Sequence, residues 1–291
     1  MHILRRIFFF LFILPVSVSA QVWNIPVMSY NIRYNNPEDG IYSWASRKTM
    51  VEAMLKMQTP GIVGFQEVLK GQVNDLAIIL KPFAWVGVGR DDGKDAGEFA
   101  PIFYDPVRFT LKNSGTFWLS ETPEVPGSKS WNAACPRIVT WAKLRDTESG
   151  KILFVFNTHF DHISEKARNE SALLLLSAIG QIAGKHWVIV TGDFNGTRIS
   201  EMYRILTSTP PDKALLNTAR ISRDEPQGPD YTFIGFPFAP EPGNTIDFIF
   251  SRSGKGVVVK EHAVVTYNTG GKYPSDHLPV QTTFEIKKIR K

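Results

Sequence analysis

The sequence predicts an α/β fold in which two packed β-sheets carry helices on their outer faces. Segments rich in β-branched and aromatic residues recur along the chain after residue 20, and segments with helical spacing of apolar residues occur in both halves. No obvious linker or long low-complexity stretch divides them. Because strands dominate and helices are spread over both halves, two sheets with helices outside is the simplest way to bury the apolar faces. Residues 21–291 are therefore expected to form one domain.

The N-terminal half alternates strands and helices. In chain order, a strand, a helix, a second strand and a second helix are expected at 25–33, 45–58, 62–68 and 73–80. Apolar residues at helical spacing predict the buried face of the first helix, at Met50, Ala53, Met54 and Met57. The segment TPG at 59–61 is expected to end this helix.

The rest of the chain is mostly β. Strands are expected at 84–90, 100–105, 108–120, 137–146 and 151–160, and later at 186–195, 231–236, 244–250, 255–267 and 278–286. A third helix is expected at 164–183, where the run ALLLL follows a polar start. The segment 121–136 is rich in Pro, Gly and Ser and is expected to be a surface loop.

The first twenty residues have the pattern of a secretory signal peptide. Arg5 and Arg6 precede the apolar run IFFFLFILPVSV, and the segment VSA predicts cleavage after Ala20. The apolar run is too short to span a bilayer comfortably and no second long one follows, so stable membrane insertion is not expected. The protein is expected to be secreted or periplasmic.

Charge and cysteine content narrow the classes of partner. The formal net charge of the whole chain is +5, and removal of Arg5 and Arg6 leaves about +3 without any Lys- or Arg-rich run. Such a mild charge does not indicate a strong grip on nucleic acid. Cys135 is the only cysteine, so no internal disulfide is expected, and a small buried apolar side chain is favoured over a nucleophile. No protein partner is indicated.

Polar side chains stand at the ends of several predicted strands. They are Asn31, Glu67, His159, Asp193, Asn195, Asp247 and the neighbours Asp276 and His277. Seen alone, the last pair is typical of a turn after Pro274. Together, the polar groups are costly to bury unless they pair with one another or bind a metal ion. Carboxylate and amide oxygens suit Mg²⁺ or Mn²⁺.

These residues, in this order and with the segments GDFN and SDH, resemble the endonuclease/exonuclease/phosphatase superfamily of metal-dependent phosphodiesterases. The resemblance covers nearly the whole chain after residue 20. The secreted bacterial branch related to deadenylase-like members is most similar in three segments, YNIRYNNPEDG, FWLSETPEVPGSKSWNAACPRIVTW and NTHFDH. The resemblance implies a four-layer α/β/β/α sandwich of two mixed, mainly antiparallel sheets. It also implies a Mg²⁺- or Mn²⁺-dependent phosphoric ester hydrolase in which water attacks phosphorus in line.

The resemblance further implies a role for each residue at a strand end. Glu67 would be the principal metal ligand, with Asn31 as a second ligand or a neighbouring group. Asp276 is assigned to the same metal group and would also orient His277. His277 would either take a proton from water or hold the phosphate, and both roles stay open.

The remaining residues of the pattern would act on water and phosphate. Asp193 would align the attacking water, and Asn195 would donate a hydrogen bond to a phosphoryl oxygen. His159 would donate to the phosphate near the leaving group. Asp247 would fix the orientation of a histidine, as imidazoles in such sites usually require.

Three further residues are weaker candidates for contact with the substrate. Arg137 could bind phosphate or pair with a nearby acid, and Glu98 could support the site from behind. Asp161 shares a face with His159 if that strand continues, in which case His162 points away. The segment HFDH does not have a spacing that is typical of zinc sites.

The pattern leaves three classes of substrate open: nucleic acid, phospholipid headgroups and small phosphate esters, which would include phosphomonoesters. A sphingomyelinase-like enzyme would need an exposed apolar hairpin, for which Phe233, Phe236 and Phe238 are candidates; the alternative is a cleft wall or core packing. A protein of another class, a catalytically inactive secreted binding protein on the same fold, also remains possible because a fold does not imply an activity.

Overall fold

The computed structural model describes residues 21–208, 214–252 and 254–287, so the signal peptide predicted at 1–20 lies outside the described residues. The strands are β1 (Val22–Asn31), β2 (Ile62–Gln66), β3 (Ala84–Val86), β4 (Ile102–Tyr104), β5 (Phe109–Trp118), β6 (Ile138–Asp146), β7 (Ile152–His159), β8 (Trp187–Asp193), β9 (Leu216–Asn217), β10 (Asp247–Arg252), β11 (Val257–Val264) and β12 (Val280–Lys287). The helices are α1 (Trp44–Gln58), α2 (Lys70–Ile79), α3 (Glu165–Ala183), α4 (Glu201–Ser208) and α5 (Thr218–Ile221), with a 3-10 helix at Pro37–Tyr42. Within these ranges, no helix combines the length and the apolar character that a bilayer crossing requires.

The strands form two six-stranded sheets. The first has the order β11-β12-β1-β2-β4-β3, and the second has the order β5-β6-β7-β8-β10-β9. Each sheet contains one parallel pair, β1 with β2 and β7 with β8, and its other neighbours are antiparallel. Both sheets are therefore mixed and mainly antiparallel, which confirms the predicted fold class.

Side chains alternate between the two faces of each strand, so each sheet packs against the other sheet on one face and against helices on the other. In β1, Ile25 and Val27 point into a central apolar cluster shared with the second sheet, while Met28 and Tyr30 pack with residues of α1 and α2. The second sheet repeats this pattern: alternate residues of β7 and β8 enter the central cluster, and the others pack with α3 and α4. The result is the four-layer α/β/β/α sandwich.

Two local predictions were wrong. The buried face of α1 comprises Trp44, Arg47, Val51, Met54 and Leu55. This face is rotated from the predicted methionine stripe, and Met57 is exposed. An apolar pattern could not reveal it fully, because the buried Arg47 belongs to it. The segment 231–236 forms a single bridge, between Phe233 and His277, instead of a strand. Gly235 has φ 64° and a proline follows Phe236, which prevents regular extension.

A polar seam between the sheets lies beneath the strand ends. Asn157 Oδ1 accepts hydrogen bonds from Gln66 Nε2 at 2.7 Å and Thr191 Oγ1 at 2.9 Å. Gly64 makes room for this contact, since a Cβ there would lie 2.1 Å from Thr191 Oγ1. The seam joins β2, β7 and β8 directly behind the functional residues at the ends of these strands. It holds the two sheets in a fixed position relative to each other at this edge.

Buried His262 is expected to make stability depend on pH. Its Nδ1 lies 3.0 Å from Thr218 Oγ1 and 3.1 Å from Thr282 Oγ1, and burial lowers its pKa from 6.5 to about 4. The imidazole binds a proton more readily in the unfolded chain than in the folded one. The stabilisation that neutral His262 contributes to the folded state is therefore full above pH 6.5 and is lost as the pH falls towards 4. Its size is about 3 kcal/mol. Chemical denaturation of the wild type and His262→Gln at pH 7 and pH 4.5 should show a smaller pH-dependent loss of unfolding free energy in the variant. Equal losses would contradict this account.

Candidate active site

The predicted polar residues meet in one cleft at the edge where the parallel pairs end. Because β7 and β8 run parallel and β10 runs antiparallel to β8, His159 is opposite Asp193 and Asp193 is opposite Asp247. The cleft has a volume of about 530 Å³. Of the predicted residues, those that line it are Glu67, Glu98, Arg137, His159, Asp193, Asn195, Asp276 and His277.

Glu67 follows β2 and turns its carboxylate into the cleft. Its φ of 60° lies in the left-handed region, a conformation that is uncommon outside glycine and that ends the strand abruptly. Oε1 accepts from Asn31 Nδ2 at 3.0 Å, and Oε2 accepts from the Tyr34 backbone N–H at 3.1 Å. Both oxygens are thereby held in place while the side chain stays at the surface of the cleft.

Asn31 joins the two sheets of the site. Its amide nitrogen donates to Glu67 and also to Asp193 Oδ2 at 3.0 Å, while its own oxygen accepts from the Arg33 backbone N–H at 3.0 Å. The side chain thus presents nitrogen, not oxygen, to the cleft. Of the two predicted roles, this geometry favours the neighbouring group that positions the carboxylates.

His277 is held by Asp247. His277 Nδ1 lies 2.9 Å from Asp247 Oδ2, and Nε2 points towards Asp193 Oδ2 at 3.7 Å. Burial lowers the pKa of His277, but the carboxylates of Asp247 and Asp193 outweigh it and hold the pKa well above 6.5. The ring of Phe233 packs edge-on against the imidazole at 5.0 Å between centroids.

Asp276 does not orient its neighbour as the dipeptide predicts. The chain bends at Ser275 and Asp276 before the bridge at His277. The carboxylate of Asp276 instead accepts from Ser275 Oγ at 3.3 Å and lies 3.9 Å from Arg33 Nε. Burial, followed by the charge of Glu67, raises its pKa. The predicted partner of His277 was therefore wrong, although Asp276 does line the cleft near the metal group.

Arg47 ties the loops on this side of the cleft together. Its Nη1 donates to the carbonyl oxygens of Ile32 at 2.7 Å and Pro274 at 2.8 Å, although these residues are far apart in the chain. The side chain is only 1% exposed. Arg47 thereby fixes the segment after Asn31 against the segment before His277.

Asp193 occupies the centre of the site. Its Oδ1 accepts from the backbone N–H of Asn195 at 2.9 Å, a short-range turn contact for which Asp is well suited. Its Oδ2 lies between the histidines, 3.5 Å from His159 Nε2 and 3.7 Å from His277 Nε2. Burial and the nearby charge of Asp247 raise the pKa of Asp193 to about 7.

His159 contacts Asn195 directly. Its Nε2 lies 3.0 Å from Asn195 Nδ2 and accepts from that amide, so the proton of the neutral ring lies on Nδ1, 3.7 Å from Glu98 Oε2. Burial and the charge of Arg137 hold the pKa of His159 well below 6.5. In this arrangement His159 positions Asn195, whereas the sequence predicts a direct donor to phosphate. Glu98 also pairs with Arg90 at 2.7 Å, so it supports this wall of the cleft.

Asp161 lies outside the cleft lining. Its carboxylate accepts backbone N–H groups of the loops on either side, those of Ala134, Ile163 and Ser164. These bonds hold the pKa of Asp161 below its usual value although burial opposes them. Because β7 ends at His159, the pleat does not continue, and His162 faces the cleft instead of pointing away. The interpretation of Asp161 as a substrate contact is replaced by a structural one.

The described residues contain two groups whose side chains could hold a metal ion. Glu67, Asp193 and His277 place ligand atoms within 4.8 Å of one another, as do Cys135, Asp161 and His162. In the second group the carboxylate already accepts three backbone N–H groups, and His162 Nδ1 accepts from Arg137 Nη2 at 2.8 Å. A cation is disfavoured beside that guanidinium. The first group is rich in oxygen and fits Mg²⁺ or Mn²⁺ through Glu67 and Asp193.

Several lining residues were missed by sequence reasoning. Arg33, Tyr34, Arg90 and Ile246 were not considered at all, Cys135 and His162 were placed elsewhere, and Phe233 was considered as a cleft wall as well as for lipid contact. Arg33 and Tyr34 directly follow the functional Asn31, so proximity in sequence is a signal that would have found them. Arg90 reaches the cleft from a loop with no local pattern that marks it.

Comparisons with known proteins agree with the geometry. A model of the Endonuclease/Exonuclease/phosphatase family matches residues 28–277. The chain is 40% identical to an endonuclease/exonuclease/phosphatase from Bacteroides vulgatus, with TM-score 0.85 and coverage of 91% of this chain and 99% of that one. It is 34% identical to mannosyl-6-phosphatase Bt3783 of Bacteroides thetaiotaomicron, with TM-score 0.82 and coverage of 89% and 99%.

More distant relatives share the fold. The human Nocturnin catalytic domain with bound sulfate is 21% identical, with TM-score 0.69 and coverage of 91% of this chain and 96% of that one. The chain spans 30% and 60% of the length of two curated relatives, uncharacterized proteins of Acanthamoeba polyphaga mimivirus that are 26% and 28% identical over the matched parts. Because the family model covers most of the chain, the protein belongs to the endonuclease/exonuclease/phosphatase family.

Proposed function

We propose that this protein is a secreted hydrolase of phosphoric esters that uses Mg²⁺ or Mn²⁺ and a water nucleophile. The observation that carries the proposal is the approach of Glu67, Asp193 and His277 ligand atoms to within 4.8 Å, inside a cleft that also holds Asn195 and His159. The family and the phosphatase among its similar structures support hydrolysis of a phosphate ester.

The side chains divide the chemistry among them. A bound divalent metal would neutralise phosphoryl oxygens and assist formation of the nucleophile. Glu67, with Asn31 behind it, would be the principal ligand of that metal, and Asp193 of the second sheet would face the same position. Asp193 would align the water. The side-chain amide of Asn195 would donate a hydrogen bond to a phosphoryl oxygen, which would replace His159 Nε2 as its acceptor.

His277 faces the same space as Asp193. Asp247 fixes its ring so that Nε2 points to the centre of the cleft. It would either take the proton of the water or donate to the phosphate as charge develops there. The two flanking carboxylates stabilise the imidazolium, which is the product of proton uptake in the first role and the donor in the second.

A small phosphate ester is the favoured substrate. The similarity to a mannosyl-6-phosphatase supports a sugar phosphate, and the mild net charge gives little support to long nucleic acid. The aromatic residues considered for lipid contact are packed against other rings: Phe236 stacks on Tyr42 at 4.4 Å and Phe238 on Tyr273 at 4.8 Å. Phe233 and Phe238 remain exposed, and of the three rings Phe233 lines the cleft. Stacking against rings of the protein itself gives little support to a free membrane-binding hairpin.

Hydrolysis of p-nitrophenyl phosphate and of bis(p-nitrophenyl) phosphate tests the proposal. Protein treated with EDTA should be inactive, and added Mg²⁺ or Mn²⁺ should restore turnover well above that of His277→Ala. If wild type with either metal hydrolyses neither ester nor a panel of RNA, DNA, sphingomyelin and sugar phosphates faster than the variant, a binding protein on the same fold becomes the better account.

A further inference from the structure

Arg137 extends the row of functional residues across the second sheet. The register pairs Val139 with Thr158, so Arg137 precedes β6 beside the end of β7, where His159 lies. His159 in turn is opposite Asp193. Since neighbouring strands are about 4.8 Å apart, Arg137 lies next to His159 on the side away from Asp193. A group bound in the cleft between Arg137 and Asp193 would be within its reach.

The guanidinium of Arg137 is buried without full pairing. The side chain is 4% exposed and lines the cleft, yet Nε and Nη1 have no hydrogen-bond partner among the described residues. The nearest carboxylate oxygen, Asp161 Oδ2, is 3.7 Å from Nε and already accepts from the Ala134 backbone N–H. A buried cation with free donors is costly unless an anion supplies the acceptors.

His162 completes the donor set. A guanidinium has no acceptor, so Arg137 Nη2 donates to His162 Nδ1 at 2.8 Å, and the proton of the neutral imidazole is then on Nε2. The His162 side chain is exposed and lines the same cleft. Arg90 Nε, also in the cleft lining, is a further buried donor without a hydrogen-bond partner in the described part of the chain.

We propose that Arg137 and His162 form a cradle for one non-bridging oxygen of a phosphomonoester and so make the protein selective for monoesters over diesters. This inference rests on the proposed function, in which Asp193 aligns the water and Asn195 donates to a phosphoryl oxygen. Of the three non-bridging oxygens of a monoester, one is assigned to the metal at Glu67 and one to Asn195. The third faces the β6 side of the cleft, where Arg137 lies.

The third oxygen is what distinguishes the two ester classes. In a monoester it carries negative charge and accepts charge-assisted hydrogen bonds from the guanidinium. In a diester the same position carries an alkyl or aryl arm, which offers neither the charge nor the acceptors. The free donors of Arg137 would then stay unpaired, so a diester forfeits this contribution.

The test compares two esters with the same leaving group, p-nitrophenyl phosphate and bis(p-nitrophenyl) phosphate. Arg137→Met should lower kcat/KM for the monoester by about 10- to 100-fold and for the diester by less than about threefold, the range expected for loss of charge-assisted hydrogen bonds. Arg145→Met, the same change at an exposed position near the other end of β6, is the matched control and should leave both values unchanged.

Equal losses on both esters, or no loss on either, would overturn the cradle. If Arg137→Met does not fold, Arg137→Lys decides, because lysine keeps the charge but not the planar fork, and the monoester-to-diester ratio should still fall. If the wild type hydrolyses neither ester, binding of inorganic phosphate measured by calorimetry tests the cradle alone. Weaker phosphate binding in the variant supports the cradle, and unchanged binding refutes it. The proposed function itself fails only if the panel of RNA, DNA, sphingomyelin and sugar phosphates is not hydrolysed either.

Discussion

Replacing Glu67 by glutamine is expected to reduce metal-dependent hydrolysis by roughly 10³-fold in kcat/KM, since a metal that stabilises transition-state charge contributes several kcal/mol. Glutamine preserves the size of the side chain and can still accept from Tyr34, so the fold should survive. It lacks the negative charge that holds a divalent cation. The measurement is kcat/KM for the best substrate over a titration of Mg²⁺ and of Mn²⁺.

The matched control for this change is Glu52→Gln on the outer surface of α1, where the carboxylate pairs with Lys56. It should retain the wild-type value at every metal concentration. A Glu67→Gln protein that keeps more than about a tenth of wild-type activity even at the lowest metal concentrations would show that another group holds the metal. Recovery of activity at high metal concentration would instead agree with a weakened site.

Replacing Asp193 by asparagine is expected to be nearly as damaging, with a loss of at least about 10²- to 10³-fold in kcat. Asparagine keeps the shape and its oxygen can still accept from the Asn195 backbone N–H. It removes the negative charge that lies between the two histidines and beside Glu67. Turnover under saturating substrate and metal measures the effect.

Asp247→Asn provides the comparison for Asp193, because both carboxylates are buried and lie opposite each other on β8 and β10. Asp247 acts through the orientation of His277, so its loss should cost about 10- to 100-fold, the range for groups that orient an imidazole. An Asp193→Asn protein that is more active than Asp247→Asn would contradict the central place given to Asp193.

Much of the site was predictable because strand ends are visible in a sequence. The apolar runs before Asn31, Glu67, His159 and Asp193 end abruptly in polar groups, and burial of such groups is costly unless they converge. The pattern of strands and helices already predicted two packed sheets with outer helices, and the family resemblance specified them as a four-layer sandwich of mixed sheets.

The errors share a physical cause: sequence adjacency does not give side-chain direction. Asp276 and His277 are neighbours, but the backbone turns their side chains apart, and the partner of His277 comes from β10, thirty residues away in sequence. Likewise, Asp161 follows His159 at strand spacing, yet β7 ends before it and loop amides capture its carboxylate.

Residues that reach the cleft from loops were the least predictable. Arg90 and His162 acquire their place from long-range packing, through the pair with Glu98 in one case and with Arg137 in the other. Arg47 was also hidden, because four backbone carbonyl oxygens satisfy its guanidinium, and no sequence pattern marks a buried arginine of that kind.

The central claim is that side chains from both sheets build one divalent-metal site, and diffraction from crystals soaked in Mn²⁺ tests it most directly. The account predicts an anomalous peak in the cleft about 2.1 Å from a carboxylate oxygen of Glu67, and its absence in Glu67→Gln crystals. A peak only at Cys135, Asp161 and His162, or none in the cleft at Mn²⁺ concentrations that support hydrolysis, would contradict it.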